Sequence, residues 1–205
     1  MPSSTSQPSI PLPDSMAMIV LEDCYLFPGC FMPLYIFEQR YRQMLDYALK
    51  TSRMFCVGIL SEGEILPYTT AGLIRASKKQ PDGTSHVMLH GVRRIRFTGW
   101  VQEEPFRIAR IEAIPTLKDI STEKFDGLKT RALALLPPTS AETSEAMQAL
   151  RSKLCDLKCA EFACDILSYH FVREPESMRL LLAEPSLEKR YTLLLDELER
   201  LQSLI

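Results

Sequence analysis

Two rhythms of apolar residues divide the chain. Up to residue 114 the apolar positions come in short runs separated by turn residues; beyond it they recur at three- and four-residue intervals. Residues 16–21 form a continuous apolar run, the pattern of a strand buried on both faces. Residues 55–60 make a second strand, Ser61-Glu62-Gly63-Glu64 turns it, and residues 69–77 return as a third. The loop Lys78-Lys79-Gln80-Pro81-Asp82-Gly83 ends in Asp-Gly, a strong hairpin signal. Residues 86–101 then alternate. Val87, Leu89, Gly91, Arg93, Ile95 and Phe97 share one face, and Met88, His90, Val92, Arg94, Arg96 and Trp100 share the other. Glu103-Glu104-Pro105 turns the chain into a last strand over residues 106–114. Five or more short strands with one early helix predict a small, partly closed β-barrel.

The early helix belongs to residues 26–44. Pro28-Gly29 is a turn dipeptide, proline presetting φ and glycine accepting a positive φ. Pro33 keeps Met32 extended, and Leu34-Tyr35-Ile36 is short, apolar and partly β-branched. From Phe37 the spacing changes to Phe37, Tyr41, Met44, Leu45 and Ala48, one face of a helix of about three turns. Glu38 is expected in the first turn, at the positive end of the helix dipole. Arg40, Arg42 and Gln43 fall off the apolar stripe.

This stretch resembles the opening of the Lon N-terminal domain, the substrate-binding module at the front of the ATP-dependent protease Lon, which also occurs as free-standing bacterial proteins. The residues that carry the resemblance are Pro28-Gly29, then Pro33-Leu34-Tyr35-Ile36-Phe37-Glu38, then Arg40-Tyr41-Arg42 and Met44. Gly91-Val92-Arg93-Arg94 and Glu104-Pro105-Phe106 extend it along the long strand. The resemblance implies a pseudouridine-synthase-and-archaeosine-transglycosylase-like (PUA-like) barrel.

After Pro115 the chain contains a single glycine, Gly127, and reads as helix. Ser121 can cap a helix ending at Pro137-Pro138, and Thr139 with Glu142 has capping-box spacing for the next, with Met147, Leu150, Leu154 and Leu157 along one face. Phe162, Ile166, Leu167 and Phe171 mark a third helix, and Pro175 suits the first turn of a short one ending near Ala183. Ser186 caps the last, with Leu187, Tyr191, Leu194, Leu198, Leu201 and Ile205 on its stripe. Glu188-Lys189-Arg190 continues the resemblance in weaker form. The expected organisation is a disordered tail over 1–13, a PUA-like partly closed β-barrel with one inserted helix over 14–116, and a helical bundle over 117–205: an α+β chain.

Composition narrows function by exclusion. The 205 residues are 46% hydrophobic and 24% charged, with a net charge of −2, so nothing draws the chain to nucleic acid or an anionic membrane. No apolar run reaches the roughly 18 residues of a membrane-spanning helix, and residues 1–13 lack the layout of a signal peptide. The six cysteines form no Cys-x-x-Cys and are expected to be reduced and buried, in the cytoplasm.

Catalytic patterns fail on their chemistry. Gly58 and Gly63 have the glycine spacing of a phosphate loop, but Glu64-Ile65 puts a carboxylate where the lysine must be. Ser152 and Lys153 are adjacent on a predicted helix and diverge by about 100°, too far for a serine–lysine dyad. His86 and His90 share a strand face about 13 Å apart, too distant for one metal, and His170 reads as a helix-end residue. Cys155, Cys159 and Cys164 lack a second ligand pair, leaving structural cysteine or redox sensitivity. No cofactor or metal is expected. Lys78-Lys79 with Arg93, Arg94 and Arg96 would suit RNA, but no aromatic residues interleave with them for base stacking.

Arg93 has two readings. On strict alternation it lies with Leu89 and Phe97 and needs a buried partner, Glu38 first or Glu112 second; a bulge at Gly91 would instead return it to solvent. The resemblance implies a non-catalytic module that binds exposed polypeptide segments, with a protease or chaperone as further partner. Such a module would work through a groove or an open sheet edge. Phe27, Phe31, Tyr35, Tyr41 and Trp100 are the candidate contacts, with Pro28, Gly29, Glu38, Gly91, Arg93 and Arg94 as structural motif. The competing expectation is a homodimeric scaffold joined through Leu187, Leu194 and Leu201, so the chain is read as a monomer or weak homodimer.

Overall fold

The computed structural model of the protein describes residues 10–136 and 145–203. Its strands are β1 (Ser15–Glu22), β2 (Phe31–Ile36), β3 (Met54–Ser61), β4 (Glu64–Ile65), β5 (Tyr68–Lys79), β6 (Ser85–Gln102) and β7 (Arg107–Ala113). The helices are α1 (Gln39–Lys50), α2 (Thr122–Leu135), α3 (Glu145–Asp156), α4 (Ala160–Phe171), α5 (Pro175–Ala183) and α6 (Leu187–Gln202). β1 pairs parallel with β3 and antiparallel with β7, and the order β1-β7-β6-β5-β3 therefore leads back to its start. The result is the expected partly closed arrangement, a ring of strands rather than a regular barrel. β2 pairs with β6, and β4 with β3.

α1 crosses β1 and β3 and buries Tyr41, Met44, Leu45 and Ala48 against Ile19, Phe55 and Val57. Each large side chain so buried contributes about 1.5–3 kcal/mol. The hydroxyl of Tyr41 donates to the carbonyl of Val20 at 3.1 Å, and Arg42 donates through Nε to the carbonyl of Gly83 at 2.8 Å, tying α1 to the β5–β6 hairpin. Two expectations fail here. Phe37 precedes the helix and is exposed, and Glu38 is the N-cap rather than a first-turn residue. The Glu38 carboxylate accepts from Nε of Arg40 at 2.8 Å.

The Pro28-Gly29 turn docks onto the middle of β6. The amide of Gly29 donates to the carbonyl of Gly91 at 2.8 Å, and the amide of Gly91 donates to the carbonyl of Cys30 at 2.9 Å. Both glycines are required by close approach. A Cβ on Gly91 would lie 2.2 Å from the carbonyl oxygen of Phe27, and Gly29 has φ of +80° with the ring of Phe162 2.6 Å from where its Cβ would be. At the same place the ladder slips: Gly72 faces Gly91 while Ala71 faces Arg93, so Val92 is an extra residue. The extra residue inverts the alternation that the sequence suggested.

Among the helices after β7, α2 and α6 begin at their predicted capping serines, whereas α3 ends at Asp156, before the expected stripe residue Leu157. Ser121 caps α2 by accepting from the amide of Lys124, and Ser186 caps α6 by accepting from that of Lys189. Leu154, Leu167, Phe171, Leu181, Tyr191, Leu194 and Leu198 are buried with Tyr25, Phe27, Cys30 and Ile59 from the strand half in one apolar cluster. Leu187, Leu194, Leu198 and Tyr191 are thus spent inside the molecule, and among the described residues of the proposed dimer seam only Leu201 is partly exposed. Thr139, Glu142, the Pro137-Pro138 stop, the side chain of Met147 and Ile205 lie outside the described residues.

Candidate functional site

Because Met32 and Ile36 of β2 point into the core, Phe31, Pro33 and Tyr35 point out. Opposite them on β6 stand His90, Met88 and His86. The ring of Phe31 stacks on His90 at 4.6 Å, and that of Tyr35 lies 5.0 Å from His86 and 5.8 Å from Phe37. Phe31, Tyr35 and Phe37 remain 49%, 51% and 59% exposed. A depression of about 420 Å³ runs beside them, lined by Pro33, Tyr35, Lys78, His86 and Met88. Among the described residues β2 pairs with β6 alone, and Pro33, which has no amide hydrogen to donate, suits such an edge. Contiguous exposed apolar surface of this kind marks interaction sites. Burial, and then the charge of Arg75, holds the pKa of His90 below the usual histidine range.

A second site lies where the strands meet the helices. The inverted alternation turns Arg94 inward, where its Nη1 donates to Oδ2 of Asp165 at 2.8 Å and its Nη2 to Oδ1. Arg190 of α6 reaches the same carboxylate through Nη1 at 2.9 Å. Its Nη2 donates to the hydroxyl of Thr116 at 3.1 Å, and Thr116 in turn donates to Glu161. Arg94, Asp165 and Arg190 are all buried. Burial disfavours the charge of Arg94, yet the Asp165 charge and hydrogen bonds outweigh that, and its pKa sits above the ordinary value. The thiols of Cys30 and Cys164 beside this network are pushed up to about 12, chiefly by burial. Beside the network opens a groove of about 590 Å³, whose walls include Pro28, Arg93, Arg94, Glu161, Phe162 and Asp165.

The residues singled out in the sequence therefore separate. Phe31 and Tyr35 stand together on the exposed face. Phe27 is fully buried between strands and helices, and Tyr41 is buried on the inner face of α1, so neither offers surface to a ligand. Trp100 is partly exposed ten positions further along β6 than His90, packed on Phe97 at 4.4 Å and under Arg107. Pro28, Gly29 and Gly91 form the docking turn. The Glu38–Arg93 pair is absent: the bulge leaves Arg93 partly exposed at the groove and makes Arg94 the buried member. Arg96 pairs with Glu112 on the surface. Arg96 thus stands apart from the groove that Arg93 and Arg94 line, and the three make no common exposed basic face.

Asp165 and Arg190 were missed as partners. The available signal was a carboxylate inside the apolar run Phe162-Ala163-Cys164-Asp165-Ile166-Leu167, a position that demands a cation. The cysteine expectation holds for Cys30, Cys56 and Cys164, but Cys155 and Cys159 are exposed. They also sit on different elements, since α3 ends at Asp156 and Cys159 caps α4. Among the described residues no three His, Cys, Asp or Glu side chains gather as a metal site, and no helix is long and apolar enough to cross a membrane.

A partly closed strand ring with one inserted helix, its docking turn on β6 and a helical half joined by a buried ion network define a fold of the Lon N-terminal type. The chain belongs to the family described as the ATP-dependent protease La (LON) substrate-binding domain, whose model matches residues 15–200. A Lon protease of Roseiflexus castenholzii is 24% identical over 196 residues, 92% of this chain and 24% of that protein. Lon protease 2 of Sorangium cellulosum is 29% identical over 180 residues, 78% of this chain and 22% of that protein. The chain spans a quarter or less of the length of these relatives. The N-terminal domain of Mycobacterium avium complex Lon protease superimposes with a TM-score of 0.72 at 16% identity, covering 90% of this chain and 98% of that one. A Lon N-terminal domain protein from Xanthomonas campestris gives 0.62 at 20% identity, covering 89% and 97%. At these identities the likeness is one of fold.

Proposed function

We propose that this chain is a non-catalytic polypeptide-binding module of the cytoplasm, an adaptor that holds exposed apolar segments for a protease or chaperone. The two parts, 14–116 and 117–205, would act as one recognition unit. The observation that carries this reading is the row of exposed rings Phe31, Tyr35 and Phe37 along β2, an edge strand that pairs with β6 alone among the described residues and whose outer side meets the helices where Tyr169 donates to the carbonyl of Phe31. An extended segment can add to such an edge through its backbone while its apolar side chains lie on the aromatic rings. Membership of a substrate-binding family supports the same reading.

The test is fluorescence anisotropy with a labelled peptide rich in leucine and phenylalanine. Replacing Phe31 and Tyr35 together by serine weakens binding by about tenfold or more, while thermal unfolding is unchanged because both rings are half-exposed. Undiminished affinity in that variant, or loss confined to Trp100→Ser, rejects this face as the site. Recovery of RNA rather than polypeptide in a crosslinking pull-down rejects the function itself.

A further inference from the structure

The groove between strands and helices carries positive charge that the fold does not use. Within the network the charges of Arg94 and Arg190 are matched by Asp165 and Glu161. Arg93 and Lys118 border the same groove, and neither side chain forms an ion pair or hydrogen bond with another described residue. Arg94 also lines it, and its buried Nε is a donor without an acceptor. Pro28, Ile114 and Phe162 give the groove apolar walls, and Thr116 and Glu161, hydrogen-bonded to each other, line it as well. A ligand that satisfies both features needs an anionic oxygen pair and an apolar group directly beside it. A charge-assisted hydrogen bond to either free cation is stronger than one between neutral groups.

We propose that this groove binds the last residue of a polypeptide, with its α-carboxylate between Arg93 and Lys118 and its apolar side chain against Phe162 and Pro28. A chain end presents carboxylate and side chain on one Cα, within a single residue's reach. An internal aspartate or glutamate has spent its side chain on the carboxylate and must recruit a neighbour for the apolar contact. The proposal rests on the polypeptide-binding reading and adds to it a preference for free C-termini.

Three fluorescein-labelled peptides on the full chain test it: Gly-Ser-Gly-Ala-Leu-Val with a free carboxylate, the same peptide as its C-terminal amide, and an amidated version with an internal glutamate. Anisotropy titrations give the free acid the tightest binding, about tenfold to a hundredfold over either amide, the range for charge-assisted hydrogen bonds. Arg93→Ala with Lys118→Ala removes that advantage, leaves amide binding unaltered and does not shift the unfolding midpoint, since neither cation is paired. Equal affinity for acid and amide overturns the proposal, as does an internal-glutamate peptide that binds as tightly as the free acid. If all three peptides bind equally and Phe31→Ser with Tyr35→Ser abolishes binding, the polypeptide reading stands without this site. If none binds, both fall.

Discussion

Hydrocarbon holds α1 on the strand ring, whereas the contact between the ring and the C-terminal helices is built around buried charge. Under α1 the packed side chains are apolar, and a hydroxyl from Tyr41 is the chief polar tie. At the other contact Arg94 from β6, Asp165 from α4 and Arg190 from α6 converge within an otherwise apolar cluster. The first kind of contact rewards burial and tolerates changes of shape that keep volume. The second tolerates little, because each member is costly to bury without the others. The α1 contact attaches an element, and the charged contact fixes how two parts of the chain are oriented.

Removing the shared carboxylate is the sharpest way to break this contrast. Asp165→Ala strands two guanidiniums and is expected to destabilise by about 3–5 kcal/mol in urea unfolding. A loss as small as that of a surface substitution would show that the network is hydrated and contributes no orientation. Leu45→Ala under α1 follows, at about 3 kcal/mol from lost burial and the cavity left behind. Its effect should add to that of a second α1-face substitution remote from it, whereas Arg94→Ala and Asp165→Ala should not add.

A smaller effect comes from protonation. Burial, then a neighbouring arginine, lowers the pKa of both His90 and His170, so the folded chain resists a proton that the unfolded chain accepts. Between the depressed pKa values and about 6.5 the unfolded state binds more protons, so this contribution to stability rises with pH across that window and is flat, at its lower level, on the acid side. Urea midpoints measured from about pH 5 to 7 should show this slope, and His90→Gln with His170→Gln should flatten it. Least of all, Glu38→Ala should leave the unfolding midpoint unchanged and show no coupling to Arg93, because the exposed Glu38–Arg40 pair is screened by solvent.

Periodicity and end signals determined much of this protein. They placed the strands other than β4, the first helix with its start set two residues early at Phe37, the capping serines 121 and 186 and the helical second half, since these follow from local backbone preference and from which face is apolar. The residues around Pro28-Gly29 and Gly91 were legible as a motif for the same reason: tight turns and close approaches admit few side chains. The fate of individual members was not. One inserted residue, Val92, exchanged the places of Arg93 and Arg94, because a strand's side-chain period is two and a single slip moves every later residue to the opposite face. Whether Phe27 or Phe31 met solvent, and which carboxylate met Arg94, depended on helices folding back from more than seventy positions away along the chain. Local sequence specifies the elements, and tertiary packing decides which of their polar groups must share a buried charge and which aromatic rings are left for a partner.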